Sequence, residues 1–169
     1  MKNLWTPWRM AYITGQEGRE EGCIFDRNPD QSHDKENLTL FRDHMTVVLL
    51  NRFPYANGHL LIAPQRHVPD IVDLTVEENT ALMQIIQASV EILRKHYGPD
   101  GFNIGLNIGE VAGAGLADHL HFHVIPRWNG DHNFMTVLAE VRTIPQHIEQ
   151  TFDLLLPEFQ KISRSKPIS

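Results

Sequence analysis

Cysteine is almost absent from this chain, since Cys23 is the only one among 169 residues. A single thiol excludes an internal disulfide and fits a reducing compartment, so we expect a cytoplasmic protein. Long apolar runs are missing too, because no stretch reaches the roughly 18 apolar residues that a membrane span needs. The first residues are interrupted by Pro7 and Arg9 and lack the apolar segment of a signal peptide. We therefore expect no membrane partner.

Basic residues are outnumbered, with 15 Lys and Arg against 21 Asp and Glu and a net charge of −6. This balance argues against a protein that coats nucleic acid or an anionic membrane, although a small anion needs only a local site. Hydrophobic residues make up 41% of the chain, which suits one soluble domain whose core needs no disulfide or metal. We interpret residues 1–35 as an N-terminal extension that packs on a domain formed by residues 36–169.

Two helices and several strands are predicted from hydrophobic periodicity. Thr75 and Glu78 have the spacing of a helix capping box, and apolar residues then recur every three or four positions until Gly98 and Pro99 end the helix. A second helix is predicted from about residue 144 to about residue 161. Four apolar runs predict strands at Leu38–Arg42, Met45–Leu50, His59–Ala63 and Phe102–Ile108. This order is typical of an α+β domain in which helices cover an antiparallel sheet.

The stretch His119-Leu120-His121-Phe122-His123 alternates histidine with apolar residues. Alternation at period two predicts a strand with three imidazoles on one face. Three interpretations compete: buried structural histidines, a zinc site, and nucleophilic catalysis on phosphorus. The first is disfavoured because burying a polar ring without hydrogen bonds costs about 1–3 kcal/mol. The small residues Ala112–Gly115 precede the stretch and offer unobstructed amides to an anion, which favours phosphate chemistry.

On these residues the chain resembles the histidine triad (HIT) family of nucleotide hydrolases and transferases. The family signature, His-x-His-x-His followed by apolar residues, matches residues 119–125. The segment from Asn51 to Pro64 is similar to the ribose loop and following strand of the family, and Asn107-Ile108-Gly109 to its Asn-x-Gly. Two further segments resemble the bacterial diadenosine tetraphosphate phosphorylase-like branch: Leu4–Ile13 and Pro126–Met135. The implied fold is a five-stranded antiparallel sheet with two main helices, usually in a homodimer.

The resemblance also implies roles for the matching residues. His121 would attack the α-phosphate and form a nucleotidyl-histidine, while His119 would orient the site. His123 and His59 would surround the reacting phosphate as hydrogen-bonding partners. The other implied nucleotide contacts are Asn51 with the ribose hydroxyls, Asn107 with phosphate or leaving group, and Gly113 and Gly115 with phosphate. Arg127, just beyond the triad, is a further candidate for contact with polyphosphate.

The implied activity is cleavage of a dinucleoside polyphosphate, such as diadenosine tetraphosphate, by phosphorolysis. Two alternatives stay open, an adenosine phosphoramidate hydrolase and a nucleotide-binding module without turnover. The expected partners are therefore a small nucleotide, phosphate and a second copy of the chain, and not nucleic acid. No cofactor is expected to be required.

The chain departs from the family pattern at two places. Many members carry Gln or Ser a few residues before the first histidine, where this chain has Ala114, Gly115 and Leu116. The substitution removes a side-chain contact to the leaving group and bears on leaving-group preference.

The second departure lies in a segment that some members use to bind structural zinc. Their Cys-x-x-Cys corresponds here to Cys23-Ile24-Phe25-Asp26, with aspartate in the second place. An aspartate oxygen is an acceptable zinc ligand, so a zinc site is possible in this chain, with Cys23, Asp26, His67 and His119 as its ligands. The alternative is that Cys23 is a small buried hydrophobe and His67 a capping or surface residue.

Overall fold

The computed structural model describes residues 22–26, 33–131 and 147–165. Its strands are β1 (Thr39–Arg42), β2 (Thr46–Leu50), β3 (Leu60–Pro64), β4 (Gly101–Leu106) and β5 (Phe122–Arg127). Its helices are α1 (Val76–Tyr97) and α2 (Ile148–Ser165), and short 3-10 turns occur at Ile71–Asp73 and Glu110–Ala112. The segment Leu4–Ile13 and residues 132–135, which carried the resemblance to the phosphorylase-like branch, lie outside the described residues.

The five strands form one sheet in the order β1-β2-β3-β5-β4, and every neighbouring pair is antiparallel. With the two helices, this arrangement confirms the predicted α+β fold. Among the described residues, no helix combines the length and the apolarity needed to cross a membrane.

Most element boundaries fall within about two residues of their predictions, as expected for ends read from sequence. β4 ends at Leu106 rather than at Ile108. α2 continues to Ser165 and includes Pro157, whereas the predicted helix ended at about residue 161. The predicted start of that helix, at about residue 144, lies outside the described residues.

α1 is fixed at both ends by the residues that predicted it. The Thr75 hydroxyl accepts from the Glu78 N–H, and the Glu78 carboxylate accepts from the Thr75 N–H at 2.8 Å, which confirms the capping box. Gly98 adopts a left-handed conformation with φ 52° and closes the helix. Arg66 donates to both Glu78 oxygens at 2.8 and 2.7 Å, and these bonds hold the pKa of Glu78 below its usual value. The start of α1 is therefore tied to the connection that leaves β3.

The sheet has an apolar cluster on each face. Alternate residues of β2 belong to different clusters, with Val48 and Leu50 in one and Val47 and Leu49 in the other. The helix-face cluster is the larger and includes the buried side chains of α1 and α2, among them Leu82, Leu93, Phe152, Leu155 and Phe159. The open-face cluster is smaller: Phe25, Val47, Leu49, Leu61 and Ala63.

The histidine stretch differs from its prediction. β5 begins at Phe122, so His123 lies on the strand while His119 and His121 precede it. The Leu120 N–H donates to the Val68 carbonyl at 2.7 Å, which ties this segment to the connection after β3 instead of to a strand ladder. The predicted strand therefore begins three residues later than expected, and His123 is the one triad histidine that lies on it. The rings still lie near one another, since Phe25 contacts His119 and His121, and His121 contacts His123.

Candidate active site

Three histidine rings meet where β3 and β5 lie side by side. His59 comes immediately before β3, and His123 pairs with Leu61 across the two strands. His59 Nε2 lies 3.0 Å from His123 Nδ1, and the His121 and His123 ring centroids are 5.0 Å apart. His59 and His121 are buried, whereas His123 is partly exposed. The sheet thus brings His59, distant in sequence, beside the last two histidines of the triad.

The hydrogen bond of His121 determines which of its ring nitrogens can react. His121 Nδ1 lies 2.9 Å from the His119 backbone oxygen. A carbonyl only accepts, so Nδ1 carries the proton and Nε2 carries the lone pair. Burial lowers the pKa of His121 from its usual value, and the bond to the His119 carbonyl offsets part of that effect. His121 is therefore a neutral imidazole with an available Nε2, the form that attacks an electrophile.

The other two rings form a directional chain of donors. The Tyr55 backbone N–H donates to His59 Nδ1 at 3.1 Å, while the Asn51 side-chain nitrogen lies 3.3 Å from Nδ1 and 3.5 Å from Nε2. His59 Nδ1 is therefore an acceptor, and in the neutral ring the proton lies on Nε2. His59 Nε2–H then donates to His123 Nδ1, which leaves the proton of a neutral His123 on Nε2. This series of hydrogen bonds therefore ends at the Nε2–H of His123, a donor on the ring next to His121.

Two aromatic residues that no sequence motif indicated, Phe25 and Tyr55, contact histidine rings of the site. The Phe25 ring centroid lies 5.0 Å from that of His119 and 5.3 Å from that of His121. Tyr55 stacks on His59 at 5.1 Å with an angle of 21° between the planes. The only sequence signals were the position of Phe25 within the Cys-x-x-Asp segment and that of Tyr55 in the loop after Asn51. Neither signal indicated a ring contact.

The predicted ribose and phosphate ligands lie in loops with internal hydrogen bonds. The Asn51 side-chain oxygen accepts from the Phe53 N–H at 3.0 Å, while its amide faces His59. The Asn107 amide donates to the Gly113 carbonyl at 3.4 Å, so it braces the small-residue loop. Gly113 has φ 90°, a conformation that favours glycine, and Gly115 is exposed. The nucleotide contacts of these residues stay predictions.

Arg127 lies away from the three rings. It is four positions beyond His123 on β5, which corresponds to roughly 13 Å at about 3.3 Å per residue. Its guanidinium donates to Asp131 at 2.5 and 2.8 Å and to the Asn103 side chain at 2.6 Å. The structure therefore does not bring Arg127 to the histidines, and its contact with polyphosphate stays a prediction.

The four candidate zinc ligands lie together. One donor atom from each of Cys23, Asp26, His67 and His119 lies within 4.8 Å of all the others. Cys23 Sγ is 3.1 Å from His119 Nδ1, and His67 Nδ1 is 3.0 Å from an Asp26 oxygen. The sequence interpretation of these positions as one cluster is therefore confirmed in geometry.

The donor chemistry of this cluster fits zinc. His119 Nε2 lies 2.9 Å from the Pro64 carbonyl and must carry the proton, so its Nδ1 lone pair faces Cys23. Burial lowers the pKa of His119, which favours the neutral ring that a metal needs. One sulfur, two imidazole nitrogens and one carboxylate are ligands that tetrahedral zinc accepts. Among the described residues, this is the only group of three or more His, Cys, Asp or Glu side chains whose donor atoms could hold a metal ion together.

Comparisons with known proteins agree with one another on the family of this chain. A family model of the HIT domain matches residues 32–130. The AP-4-A phosphorylase of Mycobacterium tuberculosis is 38% identical over 168 residues, which cover 95% of this chain and 86% of that protein. A Bis(5'-adenosyl)-triphosphatase from Dictyostelium discoideum is 33% identical over 93 residues, or 55% of this chain and 62% of that protein.

A solved structure shares the fold. The crystal structure of a zinc-bound histidine triad family protein from Mycobacterium smegmatis superimposes with a TM-score of 0.60 at 27% identity. The match covers 76% of this chain and 88% of that one. The family model spans more than half of the chain and includes the histidine segment, and the mycobacterial relative matches nearly all of it. The chain therefore belongs to the histidine triad (HIT) family.

Proposed function

We propose that this protein cleaves dinucleoside polyphosphates such as diadenosine tetraphosphate by phosphorolysis, with His121 as the nucleophile. The observation that carries the proposal is the 2.9 Å bond from His121 Nδ1–H to the His119 carbonyl, which leaves the Nε2 lone pair available. The substrate class is supported by the AP-4-A phosphorylase that is 38% identical over 95% of the chain.

The proposed reaction has two displacements at the same phosphorus. His121 Nε2 attacks the α-phosphorus, and the new P–N bond forms as the P–O bond to departing ATP breaks. The Nε2–H of His123 would donate to the phosphate or the departing oxygen and stabilise its charge. Inorganic phosphate then attacks the adenylylated histidine, the P–N bond breaks, and ADP and neutral His121 result. Water in place of phosphate would give AMP.

We further propose nucleotide contacts for the loops around the rings. Asn51 would hold the ribose hydroxyls, since its loop also carries His59. Asn107, Gly113 and Gly115 would contact phosphate or the leaving group. Arg127 is proposed as a contact for the far end of a polyphosphate.

The products formed from diadenosine tetraphosphate test the proposed activity. Incubation with and without phosphate, followed by anion-exchange chromatography, is expected to give ADP and ATP only when phosphate is present. AMP and ATP in water alone would make the protein a hydrolase instead. Turnover of adenosine phosphoramidate alone would indicate the smaller substrate, and no turnover of either compound would indicate a binding module.

We propose that zinc, where it binds, is structural and that the reaction requires no cofactor. The proposal is supported by the ligand set of Cys23, Asp26, His67 and His119, and a zinc-bound relative from Mycobacterium smegmatis shares the fold. The ion would add folding energy by joining the Cys23 segment to the histidine stretch. Metal analysis of purified protein is expected to find zinc, and chelation to lower Tm. The proposal would be contradicted if the purified protein contained no metal and its Tm changed neither with added zinc nor with a chelator.

We propose a homodimer that pairs through β4. This strand is last in the sheet order, and Ile104 in it is 47% exposed. An exposed edge strand offers unpaired amides and carbonyls to a second copy. Light scattering is expected to give the mass of two chains and to give one chain for Ile104→Lys. A wild-type monomer would contradict the proposal.

We also propose that residues 1–35 are an extension packed on a domain of residues 36–169, in a cytoplasmic protein. Phe25 supports the packing, because it is 3% exposed within the open-face cluster. The single cysteine supports the compartment. Deleting residues 1–35 is expected to lower Tm, and an unchanged Tm would contradict the packing. Fractionation of the source cells tests the compartment.

A further inference from the structure

His119 connects the candidate zinc cluster to the candidate nucleophile. Its ring belongs to the cluster, where Nδ1 lies 3.1 Å from Cys23 Sγ. Its backbone carbonyl accepts the Nδ1–H of His121 at 2.9 Å. The same residue thus meets Cys23 through its side chain and sets the tautomer of His121 through its main chain.

The His119 ring is held from two sides by groups distant in sequence. Its Nε2–H donates to the Pro64 carbonyl, 55 positions earlier, at 2.9 Å. Its Nδ1 faces Cys23, which is 96 positions earlier. The rings of Phe25 and His67 contact it at centroid distances of 5.0 and 4.4 Å, and the residue is 1% exposed. A ring fixed in this way restricts the position of its own carbonyl.

Residues 119–121 need such an anchor because the sheet does not hold them. The register between β3 and β5 ends at the pair of Ile62 and Phe122. Before Phe122, the backbone of this segment bonds outside the sheet, from the Leu120 N–H to the Val68 carbonyl at 2.7 Å. The orientation of the His119 carbonyl therefore depends on where the ring is fixed.

We propose that Cys23 is a positioning residue for catalysis, acting through the His119 ring to aim Nε2 of His121; this inference rests on the proposed function. The path runs from Cys23 Sγ to the His119 ring at 3.1 Å, and from the His119 carbonyl to His121 Nδ1 at 2.9 Å. A displacement of about 1 Å in a reacting group can cost as much as about a hundredfold in rate. Loss of the sulfur therefore slows chemistry and leaves substrate binding in place.

The test compares Cys23→Ala and Cys23→Ser with wild type and with a control in the helix-face cluster, Ile92→Val. Ile92 is buried in the helix-face cluster, whereas His119 borders the Phe25 cluster on the other face of the sheet. Steady-state kinetics with diadenosine tetraphosphate and phosphate give kcat and KM for each protein. Spectra of ¹⁵N-histidine-labelled protein, assigned by comparison with His121→Asn, report the tautomer of His121. Metal content is determined for every sample, since zinc would join the same sulfur and nitrogen.

Cys23→Ala is expected to lower kcat about tenfold, to keep KM within about twofold, and to give a mixture of His121 tautomers. Cys23→Ser, compared with wild type in metal-free samples, is expected to recover part of the loss, because a hydroxyl can then donate to His119 Nδ1. Ile92→Val is expected to lower Tm and to leave kcat and the spectrum unchanged.

The positioning role is overturned if Cys23→Ala keeps the kcat and the His121 tautomer of wild type. It is equally overturned if Ile92→Val reproduces the fall in kcat, because general loosening would then explain it. An inactive wild type would mean that the proposed function has failed. The spectra would still test the positioning role of Cys23. In that case a mixed His121 tautomer in Cys23→Ala supports the positioning role, and a fixed tautomer contradicts it.

Discussion

The two faces of the sheet differ in the chemistry of what they bury. On the helix face, Leu93, Leu155 and Phe159 are fully buried among other apolar side chains. On the open face, the small cluster around Phe25 borders the rings of His119 and His121. One face therefore buries hydrocarbon, and the other buries polar rings that must find hydrogen-bond partners.

β5 shows how one strand serves both faces. Val124 belongs to the helix-face cluster, whereas the preceding residue, His123, contacts His59 and His121. Alternation along a strand separates the two sets of contacts with no change in backbone. Substitutions on the helix face should consequently change stability, and substitutions among the histidines should change rate.

The largest effect is expected for His121→Asn. Removal of the nucleophilic nitrogen should lower kcat by more than about a thousandfold, as loss of a covalent nucleophile does in other enzymes. Nucleotide affinity, measured by calorimetry, should stay within about tenfold of wild type, and Tm should change little. Activity that survives in this variant would remove His121 from the reaction.

Leu155→Ala tests whether substitutions on the helix face change stability rather than rate. Leu155 is 0% exposed, and its truncation is expected to lower the free energy of unfolding by about 2–5 kcal/mol. Chemical denaturation measures the loss, and kinetics at low temperature should give nearly wild-type kcat and KM for the folded protein. A large fall in kcat with the fold intact would show that the faces are coupled.

Glu78→Gln weakens the ion pair with Arg66, which links the start of α1 to the connection after β3. The variant keeps a side-chain acceptor for the capping box but loses the charge that binds Arg66, which donates at 2.8 and 2.7 Å. The free energy of unfolding is expected to fall by about 1 kcal/mol. Denaturation at neutral pH checks this value, with Arg66→Gln as the matched variant. A double variant that loses the full sum of both singles would show that the pair does not interact.

The smallest effect is expected for Glu158, which joins the helices through Lys95. Hydrogen bonds from Lys95 and Lys161 lower the pKa of Glu158 from 4.5 to about 2. Because the folded pKa lies below the unfolded one, the stabilisation is present above about pH 4.5 and is lost as pH falls towards 2. Glu158→Gln should lower Tm by no more than a few degrees at pH 7, and the difference from wild type should shrink on acidification. A difference that grows at low pH would contradict the assignment.

The structural features that sequence predicted well depend on nearby residues. The capping box of Thr75 and Glu78 joins positions three apart, and Gly98 ends α1 by its own backbone conformation. Strand positions followed from apolar runs because the sheet buries those runs directly. Such features are set by local geometry and by burial, both of which leave a regular pattern in the sequence.

The histidine stretch shows where that reasoning ends. Its alternation predicted a strand from the first histidine, but the His119 ring bonds to Pro64 and Cys23, which lie 55 and 96 positions away. Contacts at such separations leave no periodic signal. The candidate zinc ligands were grouped through a resemblance to a known family. The tautomers of His59 and His121 follow from hydrogen bonds that only the three-dimensional structure shows.

The most direct test of the account is a search for the covalent intermediate. Protein is mixed rapidly with diadenosine tetraphosphate in the absence of phosphate, quenched in base, and analysed by intact-protein and peptide mass spectrometry. We expect a species heavier by one adenylate, located on His121, absent from His121→Asn and discharged to ADP by added phosphate. Rapid turnover without an adduct in single-turnover samples, or an adduct on a different residue, would contradict His121 as the nucleophile.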